Sequence, residues 1–149
     1  MIVVIAILAA ISIVAYNGIQ NRANDTAIQS DLATMSKKIA AELAINDTLP
    51  ASSASGLQNL GLKATKNSYS EGYYNGSGNF NLLYCRGNDN RNFAIVAWSK
   101  SGNGFMYSNG SVQSAAWAPA TYNTSCPNAG VSNFSGFWIY NAGAWPSWI

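Results

Sequence analysis

Apolar residues follow three patterns along this chain, and each predicts a different element. Residues 1–16 read M-I-V-V-I-A-I-L-A-A-I-S-I-V-A-Y, fifteen apolar side chains and Ser12, with no charge before Arg22. A helix of that length rises about 24 Å, and the uncharged run to Asn21 brings it to about 30 Å, one hydrocarbon core. Helix-compatible sequence then continues without proline to about Asn46. In this second part Ile28, Leu32, Met35, Ile39 and Leu43 recur at spacings of four, three, four and four, a helical stripe. Arg22, Gln29, Asp31, Lys37, Lys38 and Glu42 lie opposite. The stripe needs a partner, and the rest of the chain is the nearest one. The first half of the helix is then free to bury itself elsewhere.

The pattern changes after Pro50, which biases Leu49 away from helix. Residues 47–78 are rich in Ser, Gly and Asn and predict a long loop, with one helical turn near 56–60. Strand-like runs follow at 79–86 (N-F-N-L-L-Y-C-R) and 92–100 (N-F-A-I-V-A-W-S-K), separated by the turn cluster G-N-D-N-R. A second turn at 101–104 leads into Phe105-Met106-Tyr107, and Asn109-Gly110 is the strongest hairpin cue in the chain. Three or four antiparallel strands within 79–114 are expected, one face covering the Met35 stripe. Residues 115–149 loop through Pro119 and Pro127, and Phe134, Trp138 and Tyr140 are expected to fill the gap between sheet and tail. The expected class is α+β, a long amino-terminal helix packed by its second half on that sheet. The expected division is a hydrophobic helix at 1–18 and a globular head at 19–149.

Composition narrows the setting. Of 149 residues only 9% are charged, and the net charge of +2 points to no nucleic acid or acidic substrate. The polar share is carried by Asn, Ser, Gly, Thr and Tyr, which suits strands and turns in an extracytoplasmic protein. The amino end lacks a basic n-region and a clear small-residue cleavage site, so it reads as a retained helix. In an exported chain Cys85 and Cys126 most simply form one disulfide; two independent buried thiols are the alternative. Closing a loop of about 40 residues contributes about 4 kcal/mol in the chain-entropy model.

The run I-V-V-I-A-I-L-A-A-I-S-I-V-A-Y-N-G-I-Q-N-R-A at 2–23 resembles the amino-terminal signature of type IV pilins and pseudopilins. The family's basic leader, glycine and aromatic-Thr-Leu-Ile-Glu segment have no counterpart, so Met1 is expected to be an interior residue of the run. Family members often carry a glycine near Ala6 and a proline at Val14, and loosen there on assembly; here the helix is expected to stay continuous. The resemblance implies a structural subunit that polymerises into a helical homo-oligomer. Ile2, Val3, Val4, Ile5, Ile7, Leu8, Ile11, Ile13 and Val14 are its implied filament-core and membrane residues. It also implies a single pass of the bacterial cytoplasmic membrane before assembly, an extracellular pilus afterwards, and as partners prepilin peptidase, a membrane platform and a cytoplasmic ATPase. A type II secretion pseudopilin and a membrane-anchored binding module are the other readings.

Candidate chemistry is sparse. The absence of histidine excludes His-based triads and most zinc sites, and the six carboxylates (Asp25, Asp31, Glu42, Asp47, Glu71, Asp89) are scattered. No Asp or Glu follows Asp89, which argues against a calcium loop there. No enzyme activity and no cofactor or metal is therefore expected. Lys63 with Lys66 and Arg86 with Arg91 make too thin a basic footprint for nucleic acid. Trp145 and Trp148, beside Pro146 near the end, are candidates for surface binding to a sugar, a surface or a neighbouring subunit.

Overall fold

One helix, α1 (Ile2–Asn46), carries both amino-terminal patterns without a break. The computed structural model describes residues 2–149, with side chains from Val3 onward; Met1 and the expected core side chain of Ile2 lie outside the described residues. At 45 residues α1 spans about 68 Å. Gly18 sits inside it without breaking it, and a Cβ there would meet no atom within 4 Å, so no close packing requires the glycine. Residues 3–23 are exposed throughout, and burial begins at Asn24.

The expected stripe is the buried one: Ile28, Leu32, Met35 and Ile39 are at most 1% exposed, and Leu43 is half-buried. They pack across strands β3 (Phe93–Trp98), β4 (Gly104–Ser108) and β5 (Ser111–Ala115). The loop after α1 wraps the same core. It holds α2 (Ala54–Leu57), two 3-10 turns (Gln58–Leu60 and Lys66–Ser68) and the short strand β1 (Tyr73–Tyr74). Leu57, Leu62 and Tyr69 are buried beside the helix stripe, which explains why a polar segment follows a fixed course.

The described residues form a six-stranded antiparallel sheet, larger than the three or four strands expected. Strand β2 (Asn79–Gly87) is central, paired with β3, with β1 and with β6 (Phe134–Tyr140). The aromatic run expected to plug a gap is thus the strand β6, with Leu83 opposite Trp138 and Tyr84 opposite Phe137. The reason is the free edge of β2: a meander alone leaves its N–H and C=O groups unpaired, and β6 pairs them. A short helix, α3 (Tyr122–Asn128), precedes β6 in a segment expected to be loop. The β4–β5 hairpin turns on Asn109 (φ 51°) and Gly110 (φ 85°), both left-handed, as its Asn-Gly dipeptide predicts.

Both sheet faces are covered, so all six residues of β3 are buried. Tyr84, Ile95 and Ala97 face the helix side, whereas Leu83, Val96, Trp98 and Cys85 face a second cluster with Cys126 and Trp138. Cys85 on β2 and Cys126 on α3 are disulfide-bonded, with Cα atoms 5.6 Å apart and 41 residues of separation.

One polar side chain sits at the centre. Asn81 is fully buried, next to Leu82, which takes the left-handed φ of 51°. There the main-chain ladder between β2 and β3 stops, and the Asn81 side chain continues it. Its Oδ1 accepts from Trp98 N (2.9 Å) and Leu82 N (2.7 Å), while Nδ2 donates to Trp98 O (2.9 Å) and Ser70 O (2.8 Å).

Candidate functional site

Two surfaces stand out, the free half of α1 and a cleft beside the carboxy-terminal tail. On the helix, Val3, Val4, Ile5, Ile7, Leu8, Ile11, Ile13 and Val14 are 55–74% exposed. They occupy every side of the cylinder, so no rotation against the head can cover them. The most apolar 18-residue window has mean hydropathy 2.0, with none of it buried, and is long and apolar enough to cross a membrane. Ser12 does not interrupt it, because its hydroxyl donates to Leu8 O at 2.8 Å within the same helix. Further along, Ile19, Ala23, Thr26 and Ala27 line a shallow groove where the helix leaves the head.

Two carboxylates clamp α1 to the head. Asp25 accepts from the Ser101 hydroxyl and from Asn103 Nδ2 (2.8 Å), at the turn between β3 and β4. Partial burial pushes its carboxyl up, but hydrogen bonds from Ser101, Asn103 and Ser99 outweigh this and hold it below the usual value. Asp31 accepts from Thr65 N (2.6 Å), Thr65 Oγ1 (3.2 Å) and the Tyr69 hydroxyl (3.1 Å). Burial, the Asp31 charge and that hydrogen bond push the Tyr69 hydroxyl well up. Lys38 Nζ adds a hydrogen bond to Gly61 O.

The other carboxylates are also engaged within the chain. Glu42 accepts from Asn46 (2.6 Å), Asp47 pairs with Arg91 (3.0 Å) and Glu71 accepts from Asn79 (2.9 Å). Asp89 accepts from the backbone N–H groups of Arg91 and Asn92, which lower its carboxyl. Among the described residues, no cluster of three or more Asp, Glu, Cys or His side chains could hold a metal.

The tail aromatics are half-buried and pack against the helix-side core. Trp145 meets Tyr69 edge-on at 5.0 Å and Tyr140 at 5.1 Å. Together with Lys66, Ser70, Glu71 and Lys100 these rings enclose a cleft of about 380 Å3. On the other side of Trp145, an apolar groove of about 400 Å3 runs past Trp148, Pro146 and Trp138. Of the basic pairs in the sequence, Arg91 is tied to Asp47 and Arg86 is half-buried. Lys66 finds its cleft partner in Lys100 instead of Lys63. Nothing local in the sequence joins Lys66, Lys100 and Trp145. The non-local bridge between Tyr69 and Ser99 brings the first two together.

Fold and surfaces therefore define a class: an α+β head on a long apolar amino-terminal helix that packs on an antiparallel sheet. A scan against protein-family models, a search of curated proteins and a search of solved structures each return no match.

Proposed function

We propose that the chain is a structural subunit that polymerises through the apolar first part of α1, to about Gly18, into an extracellular filament of the type IV pilin kind. The observation that carries this is the all-round apolar surface of a helix whose continuation is the spine of the head. Moving one Val, Leu or Ile side chain out of water stabilises by about 1.5–3 kcal/mol. The eight exposed aliphatic side chains from Val3 to Val14 together favour burial by on the order of ten kcal/mol. Lipid satisfies that demand in a monomer, and neighbouring helices satisfy it in a bundle. A helix closes its own backbone hydrogen bonds in either setting, so one segment serves both. The head, stapled by Cys85–Cys126, forms the outer surface, and no bond chemistry is assigned to it.

A pseudopilin is the same device in a shorter filament. A membrane-anchored binding module uses the helix only as an anchor, and this difference gives the test. The order of residues 2–14 is scrambled at constant composition, then membrane insertion and filaments are assayed by fractionation and electron microscopy. The expected result is insertion retained and filaments lost. Filaments unchanged by the scramble would defeat polymerisation through this segment, and insertion without filaments from the unscrambled chain would favour a plain anchor.

A further inference from the structure

The residues lining the cleft beside Trp145 all lie outside α1, and the cleft is formed within one copy of the chain. We infer that it binds a carboxylated pyranose, the acidic unit of surface polysaccharides. Its two cations stand on backbone that is already fixed: Ser70 N donates to Trp98 O (3.0 Å) and Lys100 N donates to Ser68 O (2.9 Å). These bonds hold 68–70 antiparallel to 98–100, so Lys66 and Lys100 flank one opening. Both are exposed, and the ion pair found among the described residues joins Arg91 to Asp47 instead. An anion entering the cleft therefore displaces no existing partner of either ammonium group.

The aromatic wall decides what kind of anion fits. Trp145 is held between Tyr69 and Tyr140 and keeps part of its indole uncovered. The face of a rigid aromatic ring suits the C–H face of a pyranose, a surface that a small inorganic anion lacks. The Glu71 carboxylate accepts from Asn79 through one oxygen, Oε2, and its other oxygen is an acceptor for a sugar hydroxyl, while its charge opposes a second anionic group at that end. The volume of about 380 Å3 lies in the range of small-molecule sites, about 300–1,000 Å3.

The test uses the full chain in detergent micelles, with trigalacturonate as probe and tryptophan fluorescence or calorimetry as readout. Trigalacturonate is expected to bind, and its methyl ester to bind about tenfold or more weakly, because the ester removes charge-assisted bonds to lysine. The double variant Lys66→Ala/Lys100→Ala is expected to lose about tenfold or more for trigalacturonate. Trp145→Phe is expected to lose about two- to tenfold while keeping the ring packed on Tyr69. Because both lysines are exposed, the double variant should keep the wild-type unfolding midpoint. Absence of millimolar binding, equal binding of the methyl ester, or an unchanged affinity in the double lysine variant overturns the inference. So does displacement of trigalacturonate by equimolar inorganic phosphate, which marks a simple anion site.

Discussion

The two halves of α1 are built from much the same aliphatic residues and meet opposite fates. Leu8 is 60% exposed, whereas Leu32, on the same continuous helix, is wholly buried. No charge precedes Arg22, and in the second half charged and polar residues confine the large apolar ones to one side. From Ile28 to Leu43 the large apolar residues keep to one stripe, and polar residues such as Gln29 and Lys37 leave the other side to water. Before Tyr16 there is no polar side, so a single sheet could never satisfy the segment. The boundary is marked by chemistry as well as by pattern, since Asp25 is where the helix is first fastened to the head. A one-sided stripe specifies an intramolecular partner, and an all-round apolar surface specifies an environment that surrounds it.

Matched substitutions sharpen that contrast most. Leu32→Ala is expected to lower head stability by about 3–5 kcal/mol, from lost burial and the cavity left behind. Leu8→Ala should leave it within about 0.5 kcal/mol. Both are read from thermal or denaturant unfolding of the full chain in detergent, followed by tryptophan fluorescence. Asn81→Ala is expected to cost at least about 3 kcal/mol, because it strands buried main-chain groups of Trp98 and Leu82. Removing the disulfide with Cys85→Ala/Cys126→Ala is expected to cost about 2–4 kcal/mol in the same assay, with the helicity of the free half unchanged by circular dichroism.

Smaller effects come from the clamps. The Asp25 carboxyl is lower in the folded state than in the unfolded chain, so the folded protein binds fewer protons on acidification. Its contribution is complete above about pH 4 and is lost as pH falls through the lowered value. Asp25→Asn should flatten that acid limb in an unfolding-midpoint titration. The buried hydroxyls of Tyr69 and Tyr84 shift the other way. Their contributions are complete below about pH 10 and fade as pH rises towards their raised values, so the midpoint should fall on the alkaline side. Tyr69→Phe should shallow that alkaline slope. A clamp whose loss also unfolded residues 3–23 would blur the division between the two halves.

Much of this architecture was legible in the sequence because its signals are local. The Ile28–Leu43 stripe shows within a few helical turns, Asn109-Gly110 names its own turn type, and two cysteines leave one intramolecular pairing. The sixth strand was not legible. Gly136 interrupts its apolar run, and its partner β2 lies some fifty residues earlier, so only the completed sheet explains why 134–140 is extended. Asn81 reads as an ordinary polar position in a strand; its value depends on the left-handed turn of Leu82 beside it. For the cleft, Trp145 was visible as a tail aromatic, Tyr140 read as a gap-filling side chain, and Lys100 carries no mark that sets it apart. Their meeting with Lys66 depends on pairings across the fold.

The most direct test of the division of α1 is a cryo-microscopy reconstruction of the proposed filament. The predicted result is a core formed by Val3 to Val14 of neighbouring copies, heads outside, and unbroken helix through residues 10–18. Heads joined to heads with the apolar segments outside the core, or non-helical density at 10–18, would contradict it.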